Sequence, residues 1–204
     1  HALGISHGGF YNSNADYADD AAYANDSWQM SVMSYFSQNE NTSITADKAY
    51  LFTPMIADML AAQMLYGVAG DLRTGNTTYG VGSTAGGYYD GFATYAADLA
   101  LTIIDDGGID TISFSTTLAN QTVNLGDGEI SDVQGLIGNL IINTGTIIEN
   151  FISGSGDDNL TGNAVKNVIT AGNGNDFVAG LAGNDILHGN GGADTITGDT
   201  GSDT

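Results

Sequence analysis

The chain has 204 residues, with 24 acidic side chains against three basic ones, a net charge of −21 and no cysteine. Phosphate recognition needs clustered Lys and Arg, so nucleic acid and anionic membrane surfaces are excluded as partners, and disulfides cannot staple the fold. No apolar run reaches the ~18 residues of a membrane helix, so no stable membrane insertion is expected.

The length suits one large domain or two small ones. The charge reads either as a self-repelling solvated surface or as a chain that expects cations. Spacing of the acids decides between them. The chain opens at His1 rather than Met, with no signal peptide in view.

In chain order, the first element is His1-Ala2-Leu3-Gly4-Ile5-Ser6-His7. On a plain helix six residues rotate by about 600°, which parts the two imidazoles. Gly4 can end the helix and swing His7 back toward His1, so that both meet one borderline metal such as Zn²⁺. By itself this spacing is a weak signal. Next comes Ser31-Val32-Met33-Ser34-Tyr35. Pro54–Gly67 then predicts a helix with Thr53 as N-cap, Pro54 at N1 and Gly67 as C-cap. Its Met55, Met59, Ala62, Leu65 and Tyr66 form a stripe expected to face a core. Residues 68–80 are turn-rich and predict a boundary. Beyond about residue 94, Leu101–Ile104, Thr111–Phe114, Val123–Leu125 and Leu140–Asn143 predict strands.

From Ser153 the spacing becomes regular. Asp158, Asn167, Asp176, Asp185, Asp194 and Asp203 lie nine apart, and Leu160, Ile169, Val178, Leu187 and Ile196 follow the first five by two. Glycines precede most of them by two, which is the nonapeptide G-G-x-G-x-D-x-U-x. The apolar residue should point inward from a short strand, and stacked turns bury the row. Glycines allow turns that present carbonyl oxygens. Carbonyls with carboxylates make a hard oxygen cage suited to Ca²⁺. Two nonapeptides would complete one turn of a parallel β-roll, stacking Asp158, Asp176 and Asp194 along one edge and Asn167, Asp185 and Asp203 along the other. A calcium between Asn167 and Asp185 would then face one carboxylate fewer, and bind more weakly.

Residues 153–204 resemble the RTX nonapeptides of secreted bacterial proteins, a module carried by lipases, toxins and proteases alike. Ser31–Tyr35 is similar to the Met-turn of the metzincins, whose zinc motif is H-E-x-x-H-x-x-G-x-x-H. Tyr23–Ser37, Leu65-Tyr66-Gly67, Arg73–Thr77, Asp105–Thr111 and Ile148-Glu149-Asn150 follow the order of the serralysins, so the resemblance spans nearly the whole chain. It implies an α+β chain: residues 1–67 as the C-terminal part of a metzincin catalytic domain, with Met-turn and helix, and residues 68–204 as an all-β parallel β-roll, incomplete at its C-terminus. It implies a secreted, extracellular zinc endopeptidase, monomeric, cleaving protein or peptide substrates with broad specificity, with one Zn²⁺ and several Ca²⁺.

The site residues follow from the same resemblance. His1 and His7 would be the second and third zinc histidines, Met33 the floor under the metal, and Tyr35 a zinc ligand or oxyanion stabiliser. Calcium would be held ahead of the repeats by Arg73, Gly75 and Thr77, by Asp105, Gly107, Gly108 and Asp110, and by Ile147 and Glu149. In the repeats the ligands would be Gly154, Gly156 and Asp158; Asn163, Val165 and Asn167; Gly172, Gly174 and Asp176; Gly183 and Asp185; Gly192 and Asp194; Gly201 and Asp203.

Two departures stand out. Gly8 replaces the usual proline after the third His, and the first His and the Glu of H-E-x-x-H are not in the chain. The resemblance therefore implies a fragment cut at both ends and inactive alone. A non-catalytic calcium-binding RTX secretion module remains the alternative. An RTX lipase would use Gly4-Ile5-Ser6-His7-Gly8 as its G-x-S-x-G, but His188 is the only later His and falls on an outward repeat position.

Overall fold

Short runs rich in Ile, Val and Thr, flanked by Gly and Asp, are too brief for helices and pair as strands. The computed structural model describes residues 6–7, 15–68, 70–95 and 98–204. Among them are β1 (Tyr50–Leu51), β2 (Thr78–Gly80), β3 (Leu99–Ile103), β4 (Thr111–Ser113), β5 (Thr122–Asn124), β6 (Ile130–Ser131) and β7 (Leu140–Ile142). They are followed by β8 (Asn150–Ile152), β9 (Asn159–Thr161), β10 (Val168–Asn173), β11 (Phe177–Ala179), β12 (Ile186–Gly191) and β13 (Thr195–Thr197). One sheet has the order β12-β10-β8-β4-β2, a second β13-β11-β9-β5 and a third β1-β3-β7-β6. Every pairing of named strands is parallel except β6 with β7.

The register shows why the repeat period works. Val168 pairs with Ile186 and Phe177 with Thr195, each one eighteen-residue turn apart. Alternation along a strand sends the middle residue inward. Tyr79, Ile112, Phe151, Ile169 and Leu187 therefore stack in one row, and Val123, Leu160, Val178 and Ile196 in the facing row. All are buried except Ile196, which is 44% exposed. The roll reaches back to Thr78, well before the regular repeats, because upstream turns keep the inward row while varying the loop between strands.

Apolar runs with no polar alternation are buried on both faces. β3 and β7 behave this way. Leu101, Ile103, Leu140 and Ile142 enter the large core. Ala100 and Ile141 face a second cluster with Ala49, Met55 and Ile56. The N-terminal segment is thereby packed on the third sheet. It is also stitched there by Gln29 Nε2 to the Gly138 carbonyl at 3.1 Å and by Phe52 N to the Ala100 carbonyl at 2.8 Å.

The α-helices among the described residues are α1 (Tyr17–Asp20), α2 (Ile56–Tyr66) and α3 (Phe92–Tyr95). α2 corrects the expectation of its start. The N-cap is Met55, whose amide donates to Asp58 Oδ2 at 2.9 Å. Pro54 precedes the cap, and Thr53 Oγ1 instead accepts from Thr102 N at 2.8 Å. Gly67 ends the helix as expected, at φ 87°. The stripe is corrected too. Met55 and Ile56 are buried, but Leu65 and Tyr66 are 57% and 68% exposed, so only the first turn meets the core. None of the described helices is long and apolar enough to cross a membrane.

Candidate functional site

Each turn of the roll ends in a Gly-rich bend whose aspartate folds back on the main chain. The backbone amide of Asp158 donates to Asp176 Oδ1 at 2.9 Å, and that of Asp176 to Asp194 Oδ1 at 3.1 Å. On the other edge Asn167 N donates to Asp185 Oδ1 at 2.8 Å, and Asp185 N to Asp203 Oδ1 at 2.9 Å. The two edges are those the nine-residue spacing describes. Each ladder also runs upstream. Gln121 N donates to Asp158 Oδ1 at 2.7 Å across 37 residues. Thr77 N donates to Asp110 Oδ1, and Asp110 N to Glu149 Oε2, both at 2.7 Å, across 33 and 39 residues. Gln121 carries no periodic signal, which is why sequence reading missed it.

Only one carboxylate oxygen of each rung is used this way. The other oxygens of Asp110, Asp176 and Asp185 are buried and have no hydrogen-bond partner. An unpaired buried acceptor of this kind costs about 1–3 kcal/mol, and more when charged. Burial accordingly raises Asp158 and Asp176 above the ordinary carboxylate value. Burial, reinforced by Asp105 and Glu149, pushes Asp110 up to about 6.

The glycines show what lies beside the first oxygen of these carboxylates, the Oδ1 that accepts the amide. Gly174 and Gly183 sit at φ 138° and 142°. A Cβ on Gly174 would lie 2.1 Å from the Gly156 carbonyl oxygen and 3.0 Å from Asp176 Oδ1. On Gly183 it would lie 2.6 Å from the Val165 carbonyl oxygen and 2.7 Å from Asp185 Oδ1. Carbonyl and carboxylate oxygens thus converge on a cradle that only glycine leaves open. Among the described residues no three His, Cys, Asp or Glu side chains gather closely enough to hold a metal alone. A cation held here would draw on main-chain oxygens as well as carboxylates, a hard donor set that suits Ca²⁺ better than a softer metal.

The other expected calcium residues are disposed differently. Asp105 accepts from Tyr79 Oη at 2.6 Å and from Gly107 N at 3.1 Å, so both its oxygens have protein donors. Arg73 stacks 4.7 Å over the Tyr89 ring and donates to the Ile104 and Ala85 carbonyls at 3.1 and 3.3 Å. The Gly75 carbonyl accepts from Thr77 Oγ1 at 2.9 Å and lies against Gly108, where a Cβ would come within 2.7 Å. Ile147 is half exposed. Asn163 Oδ1 takes Val165 N at 3.1 Å. Gly154 and Gly172 stack so closely that a Cβ on Gly172 would meet the Gly154 carbonyl at 2.0 Å. The same holds for Gly192 on Gly174 at 1.6 Å and Gly201 on Gly183 at 1.4 Å.

At the other end of the molecule, Ser31–Ser34 forms a turn closed by Ser34 N to the Ser31 carbonyl at 3.3 Å. It holds Met33 half buried. The His7 ring contacts the Met33 carbonyl through Nδ1. The His7 and Tyr35 ring centroids are 4.5 Å apart. His1 and Gly4 lie outside the described residues. His188 is exposed on β12. Sequence reading missed Asp58. This buried residue of α2 accepts from Ser31 Oγ at 2.6 Å, Val32 N at 2.8 Å and Met55 N at 2.9 Å, fixing the turn and capping the helix together.

The sequence pattern described as peptidase M10 serralysin C terminal matches residues 69–203. The chain is 41% identical over 174 residues to the metallopeptidase AprA of Pseudomonas marginalis, covering 83% of this chain and 36% of that protein. It is 43% identical over 161 residues to serralysin C of Dickeya chrysanthemi, covering 78% and 33%. It is 37% identical over 173 residues to a serralysin of Photorhabdus luminescens, covering 83% and 35%. The chain thus spans about a third of the length of these relatives.

Proposed function

Because the chain belongs to the peptidase M10 serralysin C-terminal family, we propose that it forms part of a secreted, extracellular zinc endopeptidase of broad specificity, stabilised by calcium along its roll. In this reading residues 1–67 belong to the catalytic domain and residues 68–204 form the calcium-binding roll. The observation that carries the calcium half is the buried, unpartnered second oxygen of Asp176 and of Asp185, each on a carboxylate whose first oxygen lies beside a Gly-rich bend and its carbonyls. Both are held in place by amides from the preceding turn, so the cradle is preorganised. Asp194 and Asp203 continue the two edges, and Asp110 offers a further buried oxygen upstream.

The zinc half rests on His7 and Tyr35 meeting beside the Met33 turn. His1, His7 and Tyr35 would contribute zinc ligands, and Asp58 keeps the turn beneath them in register. Bound zinc polarises a scissile carbonyl and lowers the pKa of its water. Tyr35, 43% exposed, is able to reach a developing oxyanion. The chain contains no H-E-x-x-H, so it supplies no general-base Glu.

A calcium titration followed by circular dichroism tests the first half. Strand signal should rise with calcium and fall in chelator by the share the late turns contribute; full signal in chelator would count against the reading. Casein hydrolysis tests the second half. The 204-residue chain alone should show none above a chelated control, whereas the whole protein should hydrolyse casein and lose at least about tenfold on Tyr35→Phe.

A further inference from the structure

The nonapeptides differ at their first position, where the pattern wants glycine. Gly180, Gly189 and Gly198 stand there ahead of Asp185, Asp194 and Asp203, and a Cβ on them would lie 2.4, 2.1 and 2.4 Å from Oδ2 of that same aspartate. Ahead of Asp176 stands Ala171, which has nothing to donate, and Asp176 Oδ2 is left unpartnered. Ahead of Asp158 stands Ser153. Its hydroxyl donates to Asp158 Oδ2 and accepts from Gln121 Nε2. With Oδ1 taken by Gln121 N, both oxygens of Asp158 have protein donors.

The facing edge solves the same problem with a different group. Asn167 is fully buried. Its Nδ2 donates to the Glu149 carbonyl at 2.9 Å and to Asn163 Oδ1 at 3.1 Å, and its Oδ1 accepts from Asn163 N at 2.8 Å. Two amide hydrogens point at oxygens where the later turns present oxygens to oxygens. An aspartate there would set its carboxylate against the Glu149 carbonyl and Asn163 Oδ1 with nothing between them.

We infer that the turn carrying Ser153, Asp158 and Asn167 is closed by hydrogen bonds and not by a cation. The roll then has a calcium-independent base on which the calcium-dependent turns of Asp176 and Asp185 stack. This rests on the calcium reading above. It also alters the sequence expectation for Asn167: the residue does not weaken a calcium site, it replaces one.

The test is amide hydrogen exchange in chelator on the full chain, paired with a count of bound calcium by equilibrium dialysis. In the unaltered chain, the amides of Gln121, Asn159 and Asn163 should stay protected in chelator while those of Ile186, Thr195 and Thr204 exchange. Ser153→Ala makes this rung like that of Asp176. It should speed exchange at Gln121 in chelator by about ten- to a hundredfold, the worth of a hydrogen bond to a charged group. Calcium should restore protection, with one more ion bound. Asn167→Asp should likewise lose protection at Asn163 in chelator and gain an ion. Equal exchange of early and late turns in the unaltered chain overturns the inference, whether or not either variant folds. So do variants with unchanged exchange and unchanged ion count. Calcium bound with uniform chelator sensitivity sinks the inference alone, whereas no calcium bound by any form sinks the calcium reading as well.

Discussion

The turns before Ser153 and those after it share a register but not a source of cohesion. Upstream, the inner space is filled by rings: Phe114 lies 5.5 Å from Phe92 and 6.2 Å from Phe151, and Tyr79 lies 5.1 Å from Tyr89. Asp105 finds protein partners there, Tyr79 among them, though one side-chain oxygen each of Asp110, Gln121 and Asn143 is buried without one. Downstream, Leu160, Ile169, Val178 and Leu187 each bring one aliphatic side chain to the core, and Asp176 and Asp185 each bury a second carboxylate oxygen without a donor. A broad core offsets the ordering entropy of its own loops, whereas a single aliphatic row does not, and in the proposed reading ion binding would make up the difference.

The sharpest way to break this comparison is to remove calcium. Each site at a hundredfold excess of ion over its Kd contributes about 2.7 kcal/mol, so chelation should unfold the turns after Asn167 and spare the aromatic half. Tryptic mapping in chelator reads this directly, and simultaneous loss of both halves would erase the distinction. Phe151→Ala should cost about 3–5 kcal/mol with calcium or without it, since it empties the ring-filled half; a calcium-dependent loss would show the two halves to be one. Gly183→Ala forces a side chain into a positive-φ position and into the oxygen cradle. It should cost about 1–3 kcal/mol and raise the calcium midpoint, with little effect in chelator. Ser37→Ala serves as the control outside both halves. Ser37 caps a short 3₁₀ helix (Gln38–Glu40), and its hydroxyl and amide hold the Glu40 carboxyl below its ordinary value. That contribution is present in full above pH 4.5 and is lost as the pH falls through the lowered value. The substitution should cost about 0.5–2 kcal/mol at pH 7, less in acid, and equally with or without calcium.

The downstream half was legible because it is periodic. Leu160, Ile169 and Val178 mark the inward row, and the nine-residue spacing of the acids gives both edges before any coordinates. Upstream, Tyr79 and Ile112 belong to the same row, but loops of unequal length separate them, so no window reveals the repeat. The helix was placed correctly at Gly67 and wrongly at Thr53, because Thr53 was drawn to a tertiary partner, Thr102, that no local pattern announces. Asp58 was passed over for the same reason: its donors Ser31 and Val32 lie 27 and 26 residues away. Met33 and Tyr35 stood out by resemblance alone, and His1 lies beyond the described residues.

The ladder in which each aspartate accepts the amide of the turn before it has a grammar of its own. Donor and acceptor belong to different turns but to the same position within a turn, so eighteen residues are a unit of edit. Removing residues 168–185 would set Asp203 against the Asn167 amide where Asp185 now stands, and Asp194 against the Asp158 amide in place of Asp176. Every bond of the two ladders would be replaced by one of its own kind. Removing nine would move the hydrogen-bonded Asn167 edge under the strands of the other sheet and break the match. Such a chain can lengthen or shorten by whole turns while its chemistry reads the same, and it records in its odd members, Ser153 and Asn167, where the counting starts.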